Sequence, residues 1–312
     1  MARLKLTPPL TAMPKRDLPR RRRAWLIGAA AVSLVGVGVW VVLNREGGAT
    51  APGGSPTSVG LPDTPDYHSL LVDPTDSERV TLGTHAGLFK TVDGGRTWRA
   101  AELSGQDAMN LVRTAGPLWA AGHEVLARSD DGGTTWRDVR PRGLPSLDVH
   151  GFAAHPRGGE LFAAVAGQGL YRSGDDGQTF TRASRDVGGS VFGLAVRPDG
   201  TLLAADTSQG LLASDDAGRS WRRLIGEPML GVAINPADPK TVLATGKGIY
   251  RSADAGKTWT RAVEITEGAG PVAWSPSAPK VAYVVGFNRV LYRTDDAGTS
   301  WTRQTGAGKP TR

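Results

Sequence analysis

Six aspartates in a recurring octet and a set of five histidines are the residues of this chain whose types and spacing could do chemistry. The octets read TVDGGRTW (91–98), SDDGGTTW (129–136), SGDDGQTF (173–180), SDDAGRSW (214–221), SADAGKTW (252–259) and TDDAGTSW (294–301). Their third positions are Asp93, Asp131, Asp175, Asp216, Asp254 and Asp296. Carboxylates and glycines in a short loop suggest calcium, but no copy carries the later bidentate glutamate of a calcium-binding loop, nor the flanking helices. Repetition points to architecture instead. The carboxylate can accept backbone N–H bonds inside a turn, the glycine supplies a positive φ, and the closing aromatic fills space between sheets.

The elements that must position these residues follow from the spacing. The aromatic ends of successive octets lie 38, 44, 41, 38 and 42 residues apart, a period that belongs to propellers or solenoids. Each unit holds short β-type runs separated by turn signals, such as HSLLVDP, RVTLGT, GLFKT and TWRAA over residues 68–101. Four strands per unit and six units predict an all-β, six-bladed β-propeller over residues 63–312. The octet S-x-D-x-G-x-T-W resembles the Asp-box, or BNR, repeat. Propellers of that group include sialidases, sortilin-type receptors, photosystem assembly factors and bacterial glycosyl-hydrolase-like proteins. The stretches GLFKTVDGGRTW and HGFAAHP are most similar to the last of these. The resemblance implies the fold and names no substrate, because a widespread fold does not fix a chemistry.

In such a blade the inner strand runs down from the top face, the second strand returns to it, and the octet turn lies on the bottom. His68 and His150 then open the inner strands of the first and third units, while His85 and His123 end the second strands of the first and second. All four are predicted at the top, near the central channel. Later units carry Gly167, Ser208, Gly246 and Asn288 in one of these slots and Phe192, Leu230 and Gly270 in the other, so the imidazoles stand outside the repeat pattern. Neutral imidazoles in such a group could bind copper or zinc, with Glu124 or Met109 as further ligands. The plainer reading is that polar residues gather on propeller loops and line a ligand pocket. Just after the second strands fall Glu124, Gln168, Gln209, Lys247 and Arg289, candidate contacts for a protein or glycan partner. His155, at the far end of its strand, belongs to neither group.

Catalysis finds little support. Sialidases clamp a substrate carboxylate with arginines and use a tyrosine nucleophile, and their F/Y-R-I-P motif is missing ahead of the first octet. Tyr171, Tyr250 and Tyr292 share a slot with Phe89 and Leu212, which marks a packing position, and Arg172, Arg251 and Arg293 beside them read as a solvated blade face. Glu102, Asp148, Glu160 and Asp206 form no recognisable acid/base pair. The reading is a binding or scaffold module without catalytic residues, a sialidase-like glycan hydrolase or a copper or zinc protein being the alternatives.

Charge and hydropathy address the rest of the chain. Residues 1–23 hold eight basic residues against Asp17 alone, which accounts for the whole net charge of +7 and removes the case for nucleic-acid binding. Residues 24–43, AWLIGAAAVSLVGVGVWVVL, are uncharged and would span about 30 Å as a helix. Four arginines precede them and only Arg45, offset by Glu46, follows, so the expectation is a single-pass anchor with a cytoplasmic N-terminus and an extracytoplasmic propeller. A cleaved secretory or twin-arginine signal is the alternative. The Gly/Pro/Ser/Thr-rich stretch over 44–62 reads as a flexible tether. With no cysteine in the chain, disulfides and thiolate metal sites are excluded.

Overall fold

The structure, a computed structural model, describes residues 57–304. The basic segment 1–23, the anchor expected at 24–43 and most of the 44–62 tether lie outside the described residues. Among those described, no helix is long and apolar enough to cross a membrane.

The described chain is all-β and folds into six antiparallel sheets, whose four blade strands run from inner to outer in sequence order. The first blade consists of Ser69–Val72, Val80–Thr84, Gly87–Thr91 and Thr97–Ala100. The other inner strands are Asn110–Arg113, Val149–Ala154, Val191–Val196, Gly231–Ile234 and Ala269–Trp274. The predicted six-bladed propeller is therefore the observed fold. Second strands lie in the middle of their own sheets with both faces packed against neighbouring blades, and this is why most read as runs of small apolar residues. Leu161–Val165 and Ala282–Gly286 are buried at every position. Large side chains such as Trp119, Phe152 and Phe162 fill the wedges between blades. Each contributes roughly 1.5–3 kcal/mol through removal of apolar surface from water.

The six octets form one turn, repeated. In the copy at 129–136, Asp131 Oδ1 accepts from Ser129 Oγ (2.8 Å), Thr134 N (3.0 Å) and Thr135 N (2.9 Å), and Oδ2 accepts from Thr135 Oγ1 (2.6 Å). The buried Ser129 hydroxyl also accepts from Gly133 N at 2.8 Å. The carboxylate lone pairs are spent inside the turn, which removes the calcium reading on structural grounds. Hydrogen bonds from the Ser or Thr hydroxyls and backbone amides hold Asp175, Asp254 and Asp296 at about 2, below the ordinary carboxylate value. In five of the six copies the glycine at the fifth position touches the preceding blade, Gly133 being the exception. A methyl group at Gly218 would stand 2.3 Å from Leu170 Cδ2, and one at Gly95 2.1 Å from Leu291 Cδ2.

Gly95 belongs to the first blade and Leu291 to the last, so the same contact closes the ring. Among the described residues no strand is exchanged between the first and last blades. Tyr283 Oη donates to Ser77 O (3.0 Å), and Arg293 bridges Glu78 and Asp295. Apolar side chains of both blades, among them Val80, Trp98 and Leu291, fill the seam. Arg293 thus departs from the solvated face expected of it. Arg251, which bonds Ala297 O at 2.8 Å, and Lys90, which bonds Gly133 O at 3.1 Å, likewise reach from one blade to the octet turn of the next. A long cationic side chain at this slot can span the gap between sheets and satisfy a turn carbonyl. The neighbouring tyrosine slot is a packing slot as expected, with Tyr171, Tyr250 and Tyr292 all buried. Thr57–Val59, within the segment read as tether, instead pairs with Thr97–Ala100 as a fifth strand and covers the free outer edge of the first blade.

Candidate functional site

His68, His85, His123 and His150 do meet on one face of the first three blades, as their slots predict. They form an arc with ring centroids 4.5 Å apart for His68 and His85, 6.0 Å for His85 and His123, and 5.2 Å for His123 and His150. Three carboxylates interleave with them. Asp66 Oδ1 lies 3.1 Å from His68 Nε2 and 2.5 Å from His85 Nδ1, whose ring nitrogens are themselves 2.7 Å apart. Asp107 Oδ2 lies 3.1 Å from His85 Nε2 and 2.7 Å from His123 Nδ1. Asp148 Oδ1 lies 3.3 Å from His123 Nε2 and 3.2 Å from His150 Nε2, and the two nitrogens are 3.1 Å apart.

The arc thus offers three groups of two imidazoles and one carboxylate, the central group sharing a histidine with each outer one. Two imidazoles and a carboxylate are a donor set suited to first-row divalent metals. Burial pushes the Asp66 carboxyl up, but hydrogen bonds and charge from His68 and His85 outweigh it and hold it at about 2. Asp107 is the most enclosed of the three, its side chain only 9% exposed. Although imidazole nitrogens approach within ion-pair distance, neither Asp107 oxygen nor Asp148 Oδ1 receives an aligned hydrogen bond. Buried carboxylate oxygens without such bonds are costly unless positive charge stands beside them.

The local backbone explains how the groups arrive together. The segment leading into the second blade runs unusually close to its neighbours. A methyl group at Gly122 would stand 1.9 Å from the Asp107 carbonyl oxygen, and one at Gly83 2.3 Å from that of Ala108. These two glycines let the chain seat Asp107 between His85 and His123. In the third blade the strand register shifts between Val149 and Gly151, so His150 is the extra residue of a bulge, the usual device for re-aiming one side chain. Asn110 braces that bulge from the second blade. Its Nδ2 donates to His150 O (3.0 Å), and its Oδ1 accepts from Phe152 N (3.1 Å). A matching shift surrounds Phe192 in the fourth blade, and the Phe192 ring stacks on His150 at 5.0 Å. His150 Nδ1 is 3.2 Å from Gly189 O; an N–H there leaves the Nε2 lone pair facing Asp148 and His123.

The other candidates scatter. Met109 is buried and lines a narrow central channel of about 150 Å³. Glu124, at a positive φ, lines a separate cleft with Arg140 and Leu144. Gln168 lines a cleft of about 630 Å³ with Arg182, Arg185 and Asp186, beside Gly189. Gln209 reaches the same wall, donating to Asp186 O at 3.1 Å. Arg289 pairs with Asp63 at 2.9 Å, and Lys247 is exposed on its own blade. His155 Nδ1 accepts from Arg157 N in a turn, away from the arc. The residues that sequence reasoning missed are Asp66 and Asp107, while Asp148 is weighed there only as half of an acid/base pair and not as a partner of the histidines. A signal was present, since the same slot two places before the inner-strand residue holds aspartate in DYH (66–68), DAM (107–109) and DVH (148–150), but Ser190, Pro228 and Gly268 in the later blades.

A sequence profile described as photosynthesis system II assembly factor YCF48 matches residues 67–211. No curated protein matches the sequence. Among solved structures, the GH74 xyloglucanase from Xanthomonas campestris is 18% identical, with a TM-score of 0.55 over 79% of this chain and 46% of that one. YCF48 from Cyanidioschyzon merolae is 17% identical, with a TM-score of 0.51 over 79% of this chain and 87% of that one. YCF48 bound to D1 peptide is 17% identical, with a TM-score of 0.50 over 82% and 85%. The chain spans about half the length of the GH74 enzymes it matches. At these identities the likeness is one of fold. By its six repeated blades, its profile match and these neighbours, the chain is a BNR-type β-propeller, a scaffold that leaves the activity to be argued from the site.

Proposed function

We propose that this propeller is a non-catalytic module that binds a protein partner through its top face, held at the outer surface of the cell membrane by residues 24–43. The observation that carries the reading is asymmetry. Seven side chains able to ligate or titrate crowd the face of the first three blades, while the equivalent slots beyond carry Phe192, Leu230, Gly246 and Gly270. A structural requirement of the ring would repeat in every blade; a binding surface need not. The profile match covers the blades that carry the arc, and a YCF48 propeller of similar fold has been solved with a bound peptide.

Photo-crosslinking residues placed one at a time in the full-length chain test this in its own membrane. Adducts with a protein from positions 124 and 168 on the top, and none from Gly132 and Lys257 in the octet turns, are expected. Adducts from both faces alike, or from neither, overturn the reading. A glycan ligand is the second reading, favoured by the polar cleft of Gln168, Arg182, Arg185 and Asp186. It requires saturable oligosaccharide binding that Arg185→Ala abolishes.

A further inference from the structure

The group formed by His123, Asp148 and His150 differs from its neighbours in shape. Its donor atoms form a nearly equilateral triangle with sides of 3.1, 3.2 and 3.3 Å. A tetrahedral zinc ion with bonds of about 2.0–2.1 Å has ligand-to-ligand edges of about 3.3 Å, so the triangle is already one face of that tetrahedron. Square or tetragonal copper(II) at similar bond lengths asks for edges of about 2.8 Å. In the Asp66, His68 and His85 group two sides measure 2.5 and 2.7 Å, a hydrogen-bonded triad that would have to open by more than half an ångström.

We propose that His123 Nε2, His150 Nε2 and Asp148 Oδ1 form a zinc site with its fourth position facing solvent. Three further observations point to it independently of the triangle. Asp148 Oδ1 is buried and receives no hydrogen bond, which leaves its lone pairs directed at no donor. Asp107, nine-tenths buried and likewise unbonded, stands 2.7 Å from His123 Nδ1. With zinc on Nε2 the His123 proton resides on Nδ1, and a small rotation aligns it with Asp107, the carboxylate–histidine–metal arrangement that raises ligand basicity. His150 is fixed from three sides, by the Gly189 carbonyl, by the Phe192 ring and through the bulge that Asn110 braces.

The chemistry balances without an outside reactant. Each imidazole supplies one neutral nitrogen and Asp148 one negative oxygen, so the bound ion keeps a net charge of +1 and any proton held between the two Nε2 atoms moves to Nδ1 of His123 or to solvent. The open fourth position then takes water or a side chain from outside. Because the side chains of His123 and Asp148 are 45% and 39% exposed, the ion can enter from solvent without movement of the blades. This inference stands apart from the partner reading: the site would bind zinc with no partner present.

The test uses the full-length chain in detergent, stripped of metal and then equilibrated with zinc alone. One zinc per chain retained after desalting is expected, together with a rise in the unfolding temperature on zinc addition and, with cobalt(II) in its place, the intense visible bands of tetrahedral coordination. Asp148→Asn, which preserves shape, and His150→Ala should each weaken zinc binding by at least about tenfold. His155→Ala, away from the arc, should leave it unchanged. Absence of stoichiometric zinc in the wild-type chain overturns the proposal, as does zinc that survives Asp148→Asn or is lost equally with His155→Ala. Should a variant fail to fold, the cobalt spectrum of the wild-type chain decides alone: weak octahedral bands or none refute the site.

Discussion

Replacing Asn110 by alanine is the most direct way to ask whether the bulge at His150 is held from the neighbouring blade. Asn110 is 7% exposed, and its amide serves two backbone groups of the third blade at once, the His150 carbonyl at 3.0 Å and the Phe152 N–H at 3.1 Å. Truncation strands both, and a buried polar group left without a partner costs about 1–3 kcal/mol. Water entering from the adjoining channel of about 150 Å³ can restore one of the two bonds, which favours the lower half of the range. A net loss of about 2–4 kcal/mol follows, or roughly 5–15 °C in unfolding temperature for a domain of this length. Thermal unfolding followed by circular dichroism measures it. Asn235→Ala is the companion variant: Asn235, at the other end of the fifth blade, is as deeply buried, donates to Pro279 O of the sixth blade and accepts from Ala237 N and Asp238 N of its own. Both variants should lose stability, but only Asn110→Ala should also weaken zinc binding, because only Asn110 positions His150. A melting shift under about 2 °C for Asn110→Ala, or equal zinc affinity in the two variants, refutes the reasoning.

Gly95→Ala and Gly132→Ala separate close approach from backbone conformation. Both residues have positive φ, but a methyl at Gly95 meets Leu291 at 2.1 Å, whereas at Gly132 nothing lies within 4 Å and Ala217, Ala255 and Ala297 fill that slot in other copies. Gly95→Ala should cost about 2–4 kcal/mol and Gly132→Ala under about 1 kcal/mol in denaturant titrations. Arg293→Ala should lower stability more than Arg172→Ala, since Arg293 is 16% exposed and joins the last blade to Glu78 of the first while Arg172 is 45% exposed and pairs with Glu160 of its own blade; equal urea midpoints would contradict that. Hydrogen bonds inside the octet turns hold the carboxyls of Asp175, Asp254 and Asp296 at about 2, below the ordinary carboxylate value. A depressed carboxyl stabilises the fold above its unfolded value and loses that contribution as pH falls towards its folded one. Stability measured from pH 7 downward should therefore hold to about 4 and fall between about 4 and 2; a loss centred near pH 6 would implicate other groups.

The ring was legible because its signal recurs. Six octets at nearly even spacing define the blade count without long-range information, and four histidines in two repeated slots predict their own convergence. What escaped notice were interactions whose geometry depends on a neighbouring sheet. Asp107 reads locally as a turn residue, and only the close passage permitted by Gly83 and Gly122 turns it towards two imidazoles. Arg293 looks like any exposed strand arginine until the last blade is set beside Glu78, 215 positions away in the sequence. The bulge at His150 has no residue type that announces it, for its brace, Asn110, comes from another blade. Glu124, Lys247 and Arg289 show the opposite error: equivalent turn positions place them one per blade, on the same face but without shared contacts.

The strand Thr57–Val59 has a mechanical meaning. It is stitched to the outermost strand of the first blade by three residue pairs, Thr57 with Arg99, Ser58 with Trp98 and Val59 with Thr97. Any tension arriving along the N-terminal segment is therefore delivered to the rim of the ring, and these pairs yield first, like the leading stitches of a seam. Only after they part, and slack through Pro62 is taken up, does the pull reach Asp66 and His68. The strand is a mechanical fuse between the chain ahead of Thr57 and the arc of histidines, and it shields the geometry of that arc from a pull applied at that end.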